Sequence, residues 1–403
     1  MDTYGFPLSG LTEADQATRQ RALARDRKVA KEWDPRALPT WQPDLSVPST
    51  VPRKLKQLVR KGIPQELRPR LWLQFSGGLA LRSHSPENHY QALLAAAPRL
   101  AKSSLLQLDS ATAKTFPGLR LLATDSGREA VRRLARAYSQ HTQKAALLGD
   151  SALLSLAAFL LAVVGVQREE DAFWTLVGLV ETRLSSLALL QGESYSSLEA
   201  KVLETIAVKK CPRLASLLSL LDMPFQNLLR HWLPALFTQC LPAETAVRVW
   251  DVLLVEESPA CFRIGVAMIK MNEPALVTSC RSGLVDRSLS WRVAHTFDAD
   301  ALFKMAFGTV LPLVGMDELA AARTDAQRIY EADLAARQAR LGSLFRQPSF
   351  PPMELRKASS RSELRGRRPL AVLEPNVAQP GAQLGPVDED NEIQRVDASP
   401  DRK

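Results

Sequence analysis

Side chains that could carry out chemistry by themselves are few and widely scattered in this 403-residue chain. The five histidines show no metal-ligand spacing. The four cysteines, Cys211, Cys240, Cys261 and Cys280, form no CxxC pair and indicate reduced, mostly buried thiols rather than a zinc site or disulfides. The G-x-S-x-G element of hydrolases and the glycine-rich P-loop are both missing. The sequence therefore predicts neither a metalloenzyme, a hydrolase nor a GTPase, and no cofactor of its own.

The most informative segment is RKGIPQELRPRLW, at residues 60–72. Gly62 and Pro64 end whatever element precedes them. Pro64 suits the first turn of a helix, because its missing N–H costs no hydrogen bond there. Apolar residues then follow at helical spacing. The segment predicts an amphipathic helix that begins near Pro64.

The same segment resembles the opening motif of the TBC domain, RKGIPxxLRxxLW. Further segments resemble later motifs of that family in the same order. They are DTYGF at 2–6, KTFP at 114–117, AYS at 137–139, AAFLL at 157–161, EEDAFW at 169–174, HWLPALF at 231–237, LPAET at 241–245, VWDVL at 249–253 and HTF at 295–297. The first and the last of these are similar to the growth-hormone-regulated group of TBC proteins. The resemblance covers roughly residues 55–310.

The resemblance implies an all-α, two-lobed fold that docks on a GTP-loaded small GTPase of the Rab family. The GTP and Mg²⁺ would belong to that partner. The resemblance places partner contacts at the following residues: Arg68, Arg70, Thr115, Phe116 and Pro117. For Arg68 and Arg70, a solvated helix face or a partner inside the fold stays open as an alternative. Nucleic acid is not expected as a partner, because the aromatic residues lie on apolar faces rather than along a basic stripe.

TBC proteins supply an arginine to the transition state of GTP hydrolysis, at the end of an I-x-x-D-x-x-R stretch just before T-F-P. Thr115 sets the register and places Lys114 at the arginine position. Lysine keeps the positive charge but lacks the planar fork that holds two phosphate oxygens at once. The aspartate position holds Ala111, while Asp109 lies two residues early, on another face of a helix. The arginine finger is thus degenerate.

The family's second catalytic group is a glutamine in a Y-C-Q-G motif, which positions the attacking water. Counting forward from AYS places this position at Gly149, whereas counting back from AAFLL places it at Ser151, because the loop between them is longer here. Neither residue carries a carboxamide. Nearby residues that could substitute are Arg120, Gln140 and Gln143. They lie several residues out of register, and a misplacement of 1 Å can cost ~10²-fold in rate.

Apolar residues recur every three or four positions along most of the chain, which predicts an almost all-α protein. Residues 12–33 predict a polar helix, with a near capping box formed by Thr12 and Asp15. That helix has little apolar surface, so we expect it to dock weakly or stand alone. The apolar run at 151–166 is too short to span a bilayer and predicts a buried core helix.

The expected organisation has four parts. They are an N-terminal helix and a linker containing Pro and Trp at 1–54, a TBC domain at 55–310, a long closing helix at 311–345 and a charged tail at 346–403. The closing helix is expected from Met316 to about Leu344 and largely exposed, since strong helix formers fill it.

The tail is rich in Pro, Ser and charge, which predicts disorder. It carries a basic cluster of Arg356, Lys357, Arg361, Arg365, Arg367 and Arg368 and an acidic cluster of Asp388, Glu389, Asp390 and Glu392. A solvated tail is one interpretation, and contact of the basic cluster with an anionic membrane is the other. The overall net charge of +9 is mild for this length. We expect a cytoplasmic protein, with peripheral attachment to endomembranes as a further option.

Three functions fit these observations. The first is a regulator that binds GTP-loaded Rab in vesicle trafficking but has little or no activating power, because both catalytic positions are replaced. The second is an active Rab GTPase-activating protein that uses Lys114 in place of arginine. The third is a helical interaction scaffold that engages no GTPase.

Overall fold

The computed structural model describes residues 1–33, 51–98, 102–187, 190, 193–220, 229, 231–256, 258–280, 285–308 and 314–344. These ranges contain sixteen α-helices and no β-strand. The all-α class predicted from the sequence is confirmed. Most of the predicted linker and the whole predicted tail at 346–403 lie outside the described residues.

The helices of the described ranges follow one another through short turns. They are α1 Glu13–Val29, α2 Arg53–Lys61, α3 Arg68–Phe75, α4 Gly78–His84, α5 His89–Ala96, α6 Lys102–Thr115, α7 Asp125–His141, α8 Ser151–Val164, α9 Glu169–Gly178, α10 Glu193–Lys210, α11 Pro212–Leu220, α12 Ala243–Leu253, α13 Pro259–Cys280, α14 Val285–Ala294, α15 Ala299–Phe307 and α16 Met316–Leu344. Short 3₁₀ turns at Arg120–Ala123 and Ala145–Gly149 precede α7 and α8.

Helix α8 lies at the centre of the core and packs against α3, α6, α7 and α9. Its Phe159 ring lies 5.0 Å from the ring of Trp250 on α12, which in turn stacks on Trp72 of α3 at 5.5 Å. The predicted buried helix is therefore confirmed. No single described helix is long and apolar enough to cross a bilayer, and α8 passes that test only together with residues 166–183, at a bend of 110°.

Helix α1 is held firmly against the rest of the structure, which corrects the expectation of weak docking. The capping box of Thr12 and Asp15 is present. Beyond it, the helix uses polar contacts in place of apolar surface. Arg19 binds Glu244 of α12 through two hydrogen bonds of 2.7 Å. The indole N–H of Trp33, a buried residue after α1, donates to a backbone carbonyl after α2 at 2.7 Å.

Helix α3 begins at Arg68 rather than near Pro64. Residues 65–67 form a turn instead, and Pro69 occupies the first turn of the helix. The cause is a long-range contact, because the backbone N–H of Ile63 donates to the carboxylate of Asp251 at 3.1 Å and holds this segment extended. Asp251 lies on α12.

Helix α16 has the bounds predicted from its composition. Its N-terminal half is buried on one face, through Leu319, Ala322 and Ala326, and packs against α10. Its C-terminal half is mostly exposed among the residues whose side chains are described. The closing helix is thus attached by its first turns.

Candidate functional site

Lys114 lies in the last turn of α6 with its side chain exposed to solvent. Within the described ranges it forms no hydrogen bond or ion pair. A lysine ammonium on a four-carbon stem is flexible unless a partner fixes it. The structure therefore presents the cation that the sequence places at the arginine position, but does not preorganise it.

The carboxylate nearest to this position in sequence is engaged elsewhere. Asp109 lies 2.6 Å from Arg132 of α7, so it ties α6 to α7 and is not directed at Lys114. Ala111 occupies the family's aspartate position and is half-buried. No acidic residue on α6 is left to orient the lysine, because Asp109 is the one Asp or Glu between 102 and 115.

Both positions suggested for the missing glutamine lie at the N-terminus of α8. Gly149 ends the 3₁₀ turn Ala145–Gly149 and Ser151 begins the helix, and both are exposed. Asp150 between them caps α8, because its Oδ1 accepts from the backbone N–H of Ala152 at 2.7 Å. Helix α6 contacts both the 3₁₀ turn and α8, so the two degenerate positions share one region of the fold.

The structure brings two carboxamides beside this region. Gln140 at the end of α7 and Gln143 just after it line a cavity of about 400 Å³ that also borders Leu148 of the 3₁₀ turn. Gln143 adopts the left-handed backbone conformation, with φ of 55°, and its side chain is exposed. These glutamines are thus the described neighbours best placed to substitute for the missing one.

The TFP residues after Lys114 have different environments. Thr115 is half-buried and its hydroxyl donates to the backbone carbonyl of Ala111 at 3.0 Å. Pro117 is exposed, whereas Phe116 is buried and packs edge-to-face against Phe6 at 5.2 Å. Of these three predicted partner contacts, Pro117 is the one freely presented to solvent.

Arg68 has a structural role rather than the partner contact suggested by the resemblance. It is 5% exposed, and its Nε and Nη2 lie 3.1 and 3.0 Å from the carboxylate oxygens of Asp251. Burial opposes the positive charge, but the fields of Asp251 and Tyr4 outweigh it and raise the pKa of Arg68. Trp72 completes the arrangement, since its indole N–H donates to the same carboxylate at 2.8 Å. Arg70, by contrast, is exposed and remains available to a partner.

Two residues of this arrangement carried no recognised role in the sequence. Asp251 was interpreted there as a local cap or partner, yet it accepts hydrogen bonds from residues about 180 positions earlier. Tyr4 accepts a hydrogen bond from Arg68 Nη1 at 2.7 Å. The available signal was the presence of DTYGF and VWDVL alongside RKGIPxxLRxxLW, but the motifs do not state which residues meet.

The helical scaffold around the end of α6 has the architecture of a TBC domain. The crystal structure of the Chlamydomonas flagellar RabGAP TBC domain matches 77% of this chain and 99% of that chain with a TM-score of 0.62, at 27% sequence identity. Residues 65–277 match the family model of the Rab-GTPase-TBC domain. The chain belongs to this family.

Curated relatives support the same assignment. TBC1 domain family member 2A from Rattus norvegicus is 30% identical over 283 residues, which is 70% of this chain. Small G protein signaling modulator 3 from Bos taurus is 27% identical over 315 residues, or 76% of this chain. The chain spans only 30% and 40% of the length of these two relatives.

Proposed function

We propose that this protein binds the GTP-loaded form of a Rab-family GTPase and regulates it in intracellular membrane traffic, with little power to accelerate GTP hydrolysis. The GTP and Mg²⁺ would be carried by the partner. The protein would act in the cytoplasm, at the surface of endomembranes. Family membership supports a Rab-type partner, and the two altered catalytic positions support weak activation.

The single observation that carries this proposal is the state of Lys114. An arginine supplied to a GTPase is worth ~10³–10⁵ in rate because it stabilises charge on the transferring phosphoryl group. That effect depends on donors that are already in place when the charge develops. Lys114 is exposed and has no carboxylate on its own helix to orient it. A single flexible ammonium therefore supplies charge without the required geometry.

The glutamine position leads to the same conclusion. Neither Gly149 nor Ser151 has a carboxamide, and the serine hydroxyl is too short to replace one. The negative charge of Asp150 lies between them and is fixed by its role as a helix cap. A carboxylate beside the phosphates of GTP has the wrong sign for stabilising the transition state.

A second candidate, an active GTPase activator, has a specific observation in its favour. Gln140 and Gln143 line one cavity next to the 3₁₀ turn Ala145–Gly149, and Lys114 is exposed on the helix that packs against that turn. Loop movement on binding a partner could bring a carboxamide of this pair to the attacking water. This candidate predicts that Gln143→Ala abolishes activation, whereas Gln91→Ala on the distant surface of α5 does not.

The deciding experiment uses the full chain and a panel of Rab GTPases in two measurements. Binding is compared between GTP-locked and GDP-loaded forms, and single-turnover GTP hydrolysis is measured with and without the protein. We expect preferential binding of one or a few GTP-locked Rabs and acceleration below ~10²-fold. Acceleration well above that value selects the second candidate, and absence of binding to any Rab in either state refutes the proposed function.

A further inference from the structure

The chain begins with a tight turn that touches both halves of the site. We call residues 2–7 the strap. Asp2 closes it, since its carboxylate accepts from the backbone N–H groups of Tyr4 and Phe6 at 2.9 and 2.8 Å. The backbone N–H of Asp2 also donates to the carbonyl of Phe6 at 2.8 Å. Three hydrogen bonds within five residues make the strap a defined structural element.

One side of the strap is fixed to the buried ion pair of the core. The hydroxyl of Tyr4 accepts a hydrogen bond from Arg68, which is itself held by Asp251. Burial raises the pKa of Tyr4 to about 12, so the hydroxyl stays neutral at physiological pH. The strap therefore starts from one of the most rigid places in the structure.

The other side of the strap lies on the residues that follow Lys114. We call residues 114–120 the finger loop. The backbone N–H of Arg120 donates to the carbonyl of Gly5 at 2.9 Å. The ring of Phe6 is buried and contacts the ring of Phe116, with centroids 5.2 Å apart and planes at 87°, a favoured edge-to-face geometry. The same ring also lies 6.0 Å from Phe159 in the core.

Close approach of the two backbones makes this contact specific. Gly5 has φ of 84°, a conformation that side chains rarely adopt, and a Cβ there would lie 3.1 Å from the Cβ of Arg120. A Cβ on Gly118 would lie 3.4 Å from the ring of Pro7. Glycine therefore occurs where the strap and the finger loop run closest to each other.

We propose that the strap is a positioning element for the finger loop, with Phe6 as its principal positioning residue. Phe116 lies two residues after Lys114, and its ring is clamped between the strap and the core. Through this contact the strap fixes the end of α6 in the orientation presented to a partner. The role in partner binding rests on the proposed function, whereas the fixing of the loop does not.

The test compares three variants of the full chain with the wild type. Phe6→Ala removes the ring contact, and Phe6→Leu restores apolar volume without the ring edge. Thr3→Ala is the matched control, because Thr3 belongs to the strap, is exposed and reaches only Glu244, at 3.4 Å. The direct reporter is hydrogen exchange of the Arg120 amide, whose acceptor is the strap carbonyl of Gly5. Amides of α12 serve as the internal reference.

In Phe6→Ala we expect exchange at Arg120 to accelerate about tenfold or more while exchange in α12 stays unchanged. Affinity for a GTP-locked Rab should fall about tenfold in the same variant. Phe6→Leu should recover most of both effects, and Thr3→Ala should match the wild type. Unchanged exchange at Arg120, or equal acceleration throughout the chain, overturns the proposal.

The two proposals fail in different ways. If the wild type binds no Rab, the proposed function fails, and the exchange pattern still decides whether the strap holds the finger loop. If Phe6→Ala loosens the loop but binds Rab with wild-type affinity, the positioning role is overturned while Rab binding stands.

Discussion

Arg323 on α16 lies 3.5 Å from the buried carboxylate of Glu199 on α10. The same guanidinium donates to the backbone carbonyl of Ser186 at 2.7 Å, so its donors are shared. The second oxygen of Glu199, Oε2, has no hydrogen-bond partner in the described part of the chain. The closing helix is thus attached through a carboxylate that is incompletely compensated.

Stability should therefore depend on the ionisation of Glu199. Burial raises its pKa to about 7, and Arg323 offsets only part of that effect. A raised carboxyl pKa means that the folded state binds the proton more tightly than the unfolded state. The resulting stability is complete below the ordinary pKa near 4.5 and is lost as the pH rises through 7.

Glu199→Gln should remove this dependence. We expect the free energy of unfolding of the wild type, relative to Glu199→Gln, to fall by about 2–3 kcal/mol between pH 5 and pH 8. Urea denaturation of both proteins at several pH values measures this difference. Parallel stability curves across that range would show that the carboxyl has an ordinary pKa in the folded protein.

The pair of Arg68 and Asp251 should be a major determinant of stability. Removing one partner of a buried ion pair leaves an uncompensated charge and costs about 3–5 kcal/mol. We expect a loss of that size for Arg68→Ala in chemical denaturation. The control is Arg82→Ala, whose side chain is 43% exposed and pairs with Asp171 at 3.0 Å. An exposed pair contributes about 0–1 kcal/mol, so similar losses in both variants would contradict the structural role of Arg68.

Restoring the family residues should restore chemistry if the site is correctly mapped. We expect Lys114→Arg with Ser151→Gln to accelerate GTP hydrolysis by a bound Rab at least ~10²-fold over the wild type, because a forked cation and a carboxamide return together. Single-turnover hydrolysis measures this gain. Lys54→Arg, at an exposed lysine of α2, is the control and should change nothing. Intact Rab binding without any gain would show that these two positions are wrong.

Two glycines should respond oppositely to an added methyl group. A Cβ on Gly78 would lie 2.2 Å from the backbone carbonyl oxygen of Trp174, where α4 crosses α9. We expect Gly78→Ala to cost at least about 1–3 kcal/mol, since neither backbone can move freely. A Cβ on Gly149 meets nothing within 4 Å. Gly149→Ala should be neutral or stabilise by about 0.4–1 kcal/mol, by restricting the unfolded chain. Thermal denaturation of both variants measures the contrast.

Features set by near neighbours in the chain were predicted correctly. The capping box at Thr12 and Asp15, the buried helix α8 and the bounds of α16 all depend on residues within a few turns of each other. Features set by distant contacts were not. The start of α3 at Arg68 depends on Asp251, which fixes the preceding segment.

Polar docking explains the error on α1. A helix with little apolar surface was expected to bind weakly, because burial of apolar area is the usual source of docking energy. Here Arg19 and Asp26 pair instead with Glu244 and Arg248 of α12. Such pairs cannot be recognised from one sequence, since any of many exposed charges could have supplied the partner.

The sequence by itself determined the family words and the identity of the groups at the two catalytic positions, because residue type decides whether a guanidinium or a carboxamide exists at all. Only the tertiary structure decided how the neighbouring groups are used. It joins Asp109 to Arg132, assigns Asp150 to the cap of α8 and places Phe6 on Phe116. Each of these contacts depends on the distance and direction between side chains on separate elements, which are fixed only when the helices pack.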